Sequence, residues 1–91
     1  METIIEAIKG LYNGVAGYES EQESTDRYWK KITVTRAKRI VANGQQDLSE
    51  IAVKNVLIEL YNGVVGYESE QGRIERYWNE QALTNAEAII L

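Results

Sequence analysis

The 91-residue chain contains no cysteine, histidine or proline, and it has no long apolar run. Without cysteine, disulfides, thiolate metal sites and cysteine nucleophiles are excluded. Without histidine, the chain lacks the commonest general base and the commonest metal ligand. No apolar segment approaches the roughly 18 residues of a membrane-spanning helix, and the first residues do not resemble a signal peptide. We therefore expect a cytoplasmic protein that contacts no membrane and uses no cofactor.

The remaining composition is that of a small acidic globular protein. Apolar residues make up 44% of the chain, charged residues 26%, and the formal net charge is −4. A chain of this length forms one domain, or two half-sized units that share one core. Because such a chain buries only about 60–65% of its unfolded surface, its stability is modest unless it oligomerises. A homodimer is therefore one of the assemblies to consider.

The dominant feature is a tandem repeat with an offset of 49 residues. Residues 11–22, LYNGVAGYESEQ, return as residues 60–71, LYNGVVGYESEQ. The triplet Arg27-Tyr28-Trp29 returns as Arg76-Tyr77-Trp78. From Leu11 to Trp29, 14 of 19 positions match their counterparts, and all eight aromatic residues of the chain lie in matched pairs within this block. The chain is therefore predicted to consist of two similar units.

We predict that residues 1–46 form the first unit, that residues 47–91 form the second, and that the two share one core. Each unit is expected to be a helical hairpin followed by a short third helix. Two such units packed about a pseudo-twofold axis would form one all-α bundle. The repeated aromatic residues are predicted to fill the interface between the hairpins, with Trp29 and Trp78 largely buried.

Local signals predict where the helices begin and end. Thr3 and Asp47 each stand three residues before a glutamate, which is the pattern of a capping box at a helix start. Asn13-Gly14 and Asn62-Gly63 fit helix ends, because glycine tolerates the left-handed conformation found there. Each hairpin is therefore predicted to turn between this glycine and the next one, three residues later.

The third helix of each unit is predicted to begin at Thr35 or Thr84, acting as N-caps. The first of these helices is predicted to end at Asn43-Gly44. Residues 32–35, ITVT, are all β-branched, which favours a strand. The matching residues 81–84, QALT, have no such bias, so helix and strand both remain open for this segment.

No motif indicates an enzyme or a metal site. Ser20 and Ser69 have no histidine or nearby lysine to activate them. A phosphate-binding glycine-rich loop is absent. The glutamates of the repeat stand two residues apart, and side chains at that spacing on a helix point away from each other. We therefore predict a protein without catalytic activity and without bound metal.

The repeated block also indicates a binding surface. Packing explains why its apolar residues match, but it offers no evident use for the glutamate and glutamine at 21–22 and 70–71. Tyrosine, tryptophan and arginine beside polar side chains are typical of interaction hot spots. The leading hypothesis is a small non-enzymatic protein-interaction or regulatory module with two similar partner-binding edges, and a core-only role for the block stays open. The predicted partner-binding residues are Tyr18, Glu21, Gln22, Arg27, Tyr67, Glu70, Gln71 and Arg76.

The alternative hypothesis is a nucleic-acid-binding regulator that uses a basic stretch at residues 27–39. The stretch contains no acid, and none follows until Asp47. Such a density of positive charge suits contacts with phosphates, although the net negative charge opposes them. The candidate phosphate contacts are Arg27, Lys30, Lys31, Arg36, Lys38 and Arg39.

Charge differs between the two copies. Residues 1–49 carry seven acids and seven bases, whereas residues 50–91 carry seven acids and three bases. In a fused pair of units, positions near the former twofold are free to become complementary. We therefore expect Lys31 and Lys38 to lie near their matched residues Glu80 and Glu87, within the chain or between chains of a head-to-tail dimer.

Overall fold

Four α-helices make up most of the chain that the structure describes. The computed structural model describes residues 2–22, 25–44, 48–72 and 74–91. The helices are α1 (Glu2–Gln22), α2 (Lys31–Asn43), α3 (Glu50–Gln71) and α4 (Glu80–Ile90). These ranges contain no strand, so the all-α prediction is confirmed and the open segment 32–35 is helical.

The two long helices, α1 and α3, pack against each other, and each shorter helix packs across both of them. Helices α2 and α4 do not pack against one another. The apolar spacing that predicted a helix in α1 produces its buried face, because Ile8, Leu11 and Val15 are fully buried. All four helices contribute to one buried apolar cluster. Its fully buried members are Ile8, Leu11, Val15, Ala37, Ile40, Val53, Leu57, Leu60 and Ala86.

None of the helices in the described ranges combines the length and the apolar character that a bilayer crossing requires.

The predicted helical hairpins are wrong. Gly14 and Gly63 lie inside continuous helices, and the chain leaves these helices only after Gln22 and Gln71. Short turns then lead to α2 and α4, each closed by a backbone hydrogen bond from the tryptophan N–H to the carbonyl four residues earlier. The described chain therefore alternates long and short helices, in the order α1, α2, α3 and α4.

The glycines in the middle of the long helices make room for tryptophan rings. A Cβ atom on Gly14 would lie 2.0 Å from Nε1 of Trp78, and a Cβ atom on Gly63 would lie 2.0 Å from Nε1 of Trp29. No side chain fits at either position while the ring stays in place. The two glycines are therefore required by close approach of an indole and not by a helix end.

Each indole also forms a hydrogen bond to the helix on which it lies. Trp29 Nε1 donates to the carbonyl oxygen of Leu60 at 3.0 Å, and Trp78 Nε1 donates to that of Leu11 at 2.9 Å. Both tryptophans are only 2% exposed, which confirms the predicted burial. A buried indole N–H needs a partner, and the carbonyl supplies one.

The predicted N-caps at Thr35 and Thr84 are wrong, because both residues lie inside helices. The N-cap of each short helix is the residue directly after the tryptophan, Lys30 or Asn79, five residues earlier than predicted. Helix α4 is capped by Asn79, whose side chain accepts a backbone N–H at 2.8 Å. Helix α2 begins after Lys30, which makes no side-chain cap hydrogen bond.

The other helix limits agree with the predictions only in part. Helix α2 ends at Asn43 and is followed by Gly44 with φ of +79°, as predicted. Thr3 lies within α1, not before it. Asp47 falls outside the described residues, and the cap of α3 is Ser49, whose side chain accepts a backbone N–H at 3.1 Å.

The glycine–tryptophan contact predicts opposite effects for neighbouring Gly→Ala substitutions. Gly14→Ala or Gly63→Ala expels an indole, so each is expected to cost about 3–5 kcal/mol, the range for loss of a buried tryptophan. At Gly17 and Gly66, an added Cβ would meet a tyrosine ring carbon at 3.4 and 3.5 Å, which is ordinary contact. Alanine there is expected to stabilise the helix by up to about 1 kcal/mol, because it is the better helix former.

Urea unfolding followed by tryptophan fluorescence measures both effects. The matched pair Gly14→Ala and Gly17→Ala distinguishes loss of the contact with the indole ring from any general destabilisation by an added side chain on α1. Similar stability for the two variants would contradict the proposed role of the contact.

Candidate functional site

Arg27 and Tyr28, in the turn after α1, reach across to the end of α3. The Arg27 guanidinium donates to Oε1 of Glu70 from Nε at 3.0 Å and from Nη2 at 2.5 Å. Tyr28 donates its hydroxyl to the same carboxylate oxygen at 3.0 Å, and Gln71 Nε2 lies 3.4 Å from that hydroxyl. We call Arg27, Tyr28, Glu70 and Gln71 the first clamp.

The matching residues of the other copy form a second clamp: Arg76, Tyr77 and Glu21. Arg76 Nη2 donates to Oε1 of Glu21 at 2.6 Å, and the Tyr77 hydroxyl donates to the same oxygen at 2.9 Å. In both clamps an Arg-Tyr pair from one copy of the repeat holds a glutamate from the other copy. The glutamates at 21 and 70 therefore have a use within the molecule that sequence reasoning missed.

Tyr18 and Tyr67 lie between the clamps and, with the clamp residues Tyr28 and Tyr77, form a tyrosine cluster. Tyr18 and Tyr67 contact each other edge to face at 5.8 Å between ring centroids. Each also contacts both clamp tyrosines at 5.6–5.7 Å. Edge-to-face packing of this kind adds about 0.5–1.5 kcal/mol per pair beyond area burial. The cluster therefore brings both clamps to one end of the molecule.

Hydrogen bonds in the clamps favour the charged forms of their acids and bases. The pKa of Glu21 is lowered, first by the hydrogen bond from Tyr77 and then by that from Arg76. The pKa of Glu70 is lowered, first by the hydrogen bond from Arg27 and then by that from Tyr28. Burial raises the pKa of Tyr18 and of Tyr67, so these two phenols stay neutral at physiological pH.

The eight residues predicted to bind a partner all belong to this end or its margins. Tyr18 and Tyr67 are buried, at 7% and 5% exposure, so they support the surface more than they present it. The two arginines and two glutamates are engaged in the clamps but keep about half of their side-chain surface exposed. Gln22 and Gln71 are exposed at the helix ends. Tyr28 and Tyr77 were not among the predicted residues, although their repetition beside Arg27 and Arg76 was a signal for them.

An open depression of about 320 Å³ adjoins the second clamp. It is lined by Tyr67, Gln71, Glu75 and Arg76, three of which are predicted partner-binding residues. Among the described residues, no three acidic side chains converge as metal ligands.

The six candidate phosphate contacts are divided by the structure. Arg27 lies in the first clamp, paired with Glu70. The other five are exposed at the start of α2 or along it: Lys30, Lys31, Arg36, Lys38 and Arg39.

The expected approach of Lys31 and Lys38 to Glu80 and Glu87 within the chain is wrong. The lysines are on α2 and the glutamates on α4, and these helices do not pack together. Glu87 instead accepts a hydrogen bond from the Tyr61 hydroxyl. The alternative approach between two chains stays a prediction.

No protein family matches this chain, and neither the curated proteins nor the solved structures include a match to it.

The lowered pKa values predict loss of stability in acid. A carboxylate with a depressed folded-state pKa stabilises the fold above its unfolded pKa, and this stability is lost as the pH falls through the folded pKa. We expect Glu21→Gln/Glu70→Gln to be less stable than the parent protein at pH 7. The difference should be smaller at about pH 2, which lies roughly two units below the ordinary glutamate pKa of about 4.3.

Urea unfolding at the two pH values measures this difference. Glu19→Gln/Glu68→Gln is the matched control, because these exposed glutamates also repeat but lie outside the clamps. A gap between clamp variant and parent that is the same at both pH values would contradict the prediction.

Proposed function

We propose that this protein is a small, non-enzymatic protein-interaction or regulatory module whose partner docks on the end formed by the tyrosine cluster and the two clamps. One observation carries the proposal: charged side chains are held in fixed positions there and are still open to solvent. In the clamps the exposed side-chain fractions are 63% for Arg27, 48% for Glu70, 60% for Arg76 and 47% for Glu21.

Fixed side chains favour binding because their freedom is already lost in the free protein. Ordering a long side chain at an interface costs about 0.5–1.5 kcal/mol. Arg27 and Arg76 are already ordered by their glutamates, and each also lies near the ring of the next tyrosine, at 5.7 and 5.6 Å. Arginine and tyrosine are the residues most often found at interaction hot spots.

The proposal includes a pseudo-twofold relation between the two units. Tyr18 contacts Tyr67, and Trp29 contacts Trp78 at 6.0 Å, so each residue meets its own counterpart in the repeat. Residues near a twofold axis meet their own copies in this way. The reciprocal clamps support the same relation.

A compensated difference between the copies supports it further. Buried Thr33 of α2 donates a hydrogen bond to Glu59 of α3. The matched positions hold Ala82 of α4 and Gly10 of α1, where a Cβ on the glycine would lie 3.2 Å from the alanine Cβ. One location therefore has a polar pair and the other a close apolar contact.

Under this relation the two predicted edges become one composite surface. The clamps lie on either side of the Tyr18–Tyr67 pair, so a single partner would meet both. A partner with its own twofold would match the surface, and a second copy of this chain is one candidate. The expectations of a cytoplasmic protein without catalytic activity or cofactor remain part of the proposal.

The experiment must distinguish a role of these residues in docking from their role in stabilising the packing of the two units. We expect Gln22→Ala/Gln71→Ala to change the free energy of unfolding by no more than about 0.5 kcal/mol, as is usual for exposed positions. The same variant should lose capture of the native partner. Glu21→Ala/Glu70→Ala should lose capture and also lower the melting temperature, because it opens both clamps.

The measurement is crosslinking in the native host from a photoreactive residue placed at Glu75, which lines the depression. Glu19→Ala/Glu68→Ala, on the same helices but outside the clamps, is the control and should keep the crosslinked partner. If this control and the glutamine variant capture equally, the clamps are structural only and the proposal fails.

A further inference from the structure

Helix α2 and its N-cap carry a group of exposed basic side chains. Its buried residues are Thr33, Ala37 and Ile40, which follow the helical period. No acid occurs in residues 30–44. We call the exposed bases of this segment the basic face: Lys30, Lys31, Arg36, Lys38 and Arg39.

The structure gives this face no evident internal role. The ion pairs between described residues involve Lys9, Arg27 and Arg76, and members of the basic face take part in none of them. Glu59 lines the same depression as Arg36 in the groove between α2 and α3. That carboxylate already accepts the hydrogen bond from Thr33.

The first two bases are also unfavourable for the helix they begin. Lys30 is the N-cap of α2 and makes no side-chain cap hydrogen bond, and no acid follows in the first turn. A helix N-terminus carries partial positive charge and unpaired N–H groups, so it favours acids and capping side chains. The matched positions of α4 hold Asn79, which caps, and Glu80 in the first turn.

The residues at the start of α4 therefore stabilise their helix, whereas the residues at the matched positions of α2 do not. The remaining members of the face differ in the same direction: Asn85, Glu87 and Ala88 stand where α2 has Arg36, Lys38 and Arg39. A position that breaks a local rule without structural compensation is expected at a functional site.

We propose that the basic face of α2 binds nucleic acid through the phosphate backbone. From Lys31 to Arg39 the helix rises about 12 Å. The four bases within the helix can each neutralise one phosphate, so the face can neutralise up to about four of them. The site adjoins the tyrosine end at Lys30, which lines a depression together with Tyr28, but the proposal does not depend on the function proposed for that end.

Nucleic acid fits this face better than an acidic protein does. A protein interface needs an apolar centre that becomes buried. Ile32, at 52% exposure, is the large apolar side chain that α2 presents to solvent. The net charge of −4 does not prevent binding, because the excess of acids lies in residues 50–91 and exposed charges farther apart than about 8 Å are screened at physiological salt.

The test is fluorescence anisotropy of a labelled 20-base-pair DNA duplex and a single-stranded RNA of the same sequence, between roughly 25 and 200 mM salt. For the full-length protein we expect log K on the duplex to fall with log salt with a slope of about −4. The variant Lys31→Gln/Arg36→Gln/Lys38→Gln/Arg39→Gln should bind at least about tenfold more weakly, with a slope near zero. The two probes distinguish DNA from RNA as the source of the phosphates.

A control variant has the same net charge but an intact basic face. Gln81→Glu/Thr84→Glu/Asn85→Glu/Ala88→Glu changes exposed residues of α4 and lowers the net charge from −4 by four, as the α2 variant does. It should bind within about threefold of the parent protein, because distant charges are screened. Equal loss of binding in both variants, or no binding by the parent at low salt, would overturn the proposal.

The helix start provides a second readout. Lys30→Asn/Lys31→Glu copies the start of α4 into α2, so it should raise the melting temperature while weakening nucleic-acid binding about tenfold. A purely structural role for these lysines predicts lower stability instead. A more stable variant that binds like the parent would overturn the proposal. So would displacement of the labelled probe by poly-glutamate that is as effective as displacement by the unlabelled nucleic acid.

Discussion

The contact of each tryptophan ring with a glycine of the opposite long helix is the constraint on which the rest of the structure depends. Trp29 and Trp78 can reach their helix carbonyls only because Gly63 and Gly14 have no side chain. A glycine inside a helix costs about 0.8–1.0 kcal/mol relative to alanine, and the burial of a tryptophan outweighs this cost. With the rings in place, the arginine and tyrosine that precede each tryptophan are brought to the opposite glutamate.

This constraint also separates what the sequence reveals from what it hides. The all-helical class, the burial of both tryptophans and the end of α2 at Asn43 follow from local periodicity, composition and turn chemistry. The glycine at position 14 follows Asn13 and has the local form of a helix end. The partner that gives it another reason lies 64 residues further along the chain, at Trp78. Local rules contain no term for such a partner, so the hairpins were predicted and the long helices were missed.

The clamps were hidden for the same reason. The repeat showed that both copies have glutamate at the position of Glu21 and Glu70. It could not show which contact requires glutamate there, because each carboxylate binds residues of the other copy. The contacts of the clamps explain, without any external partner, why the residues at positions 21, 27 and 28 are identical in the two copies. A docking role for this surface therefore needs its own support, and the exposure of the clamped side chains supplies it.

The inner and outer faces of the molecule have diverged to different extents. Under the proposed pseudo-twofold relation, a residue that contacts the opposite copy, such as Tyr18 or Trp29, has surroundings similar to those of its counterpart, so a change in one copy strains the contact with the other. The exposed positions of α2 and α4 are not constrained by contacts between the copies, so they are free to differ. A feature that only one copy carries can therefore arise more readily on those outer faces. The lysines at the start of α2 occur in one copy only. They stand where they lower stability, whereas the other copy has a capping asparagine and a glutamate at the matched positions.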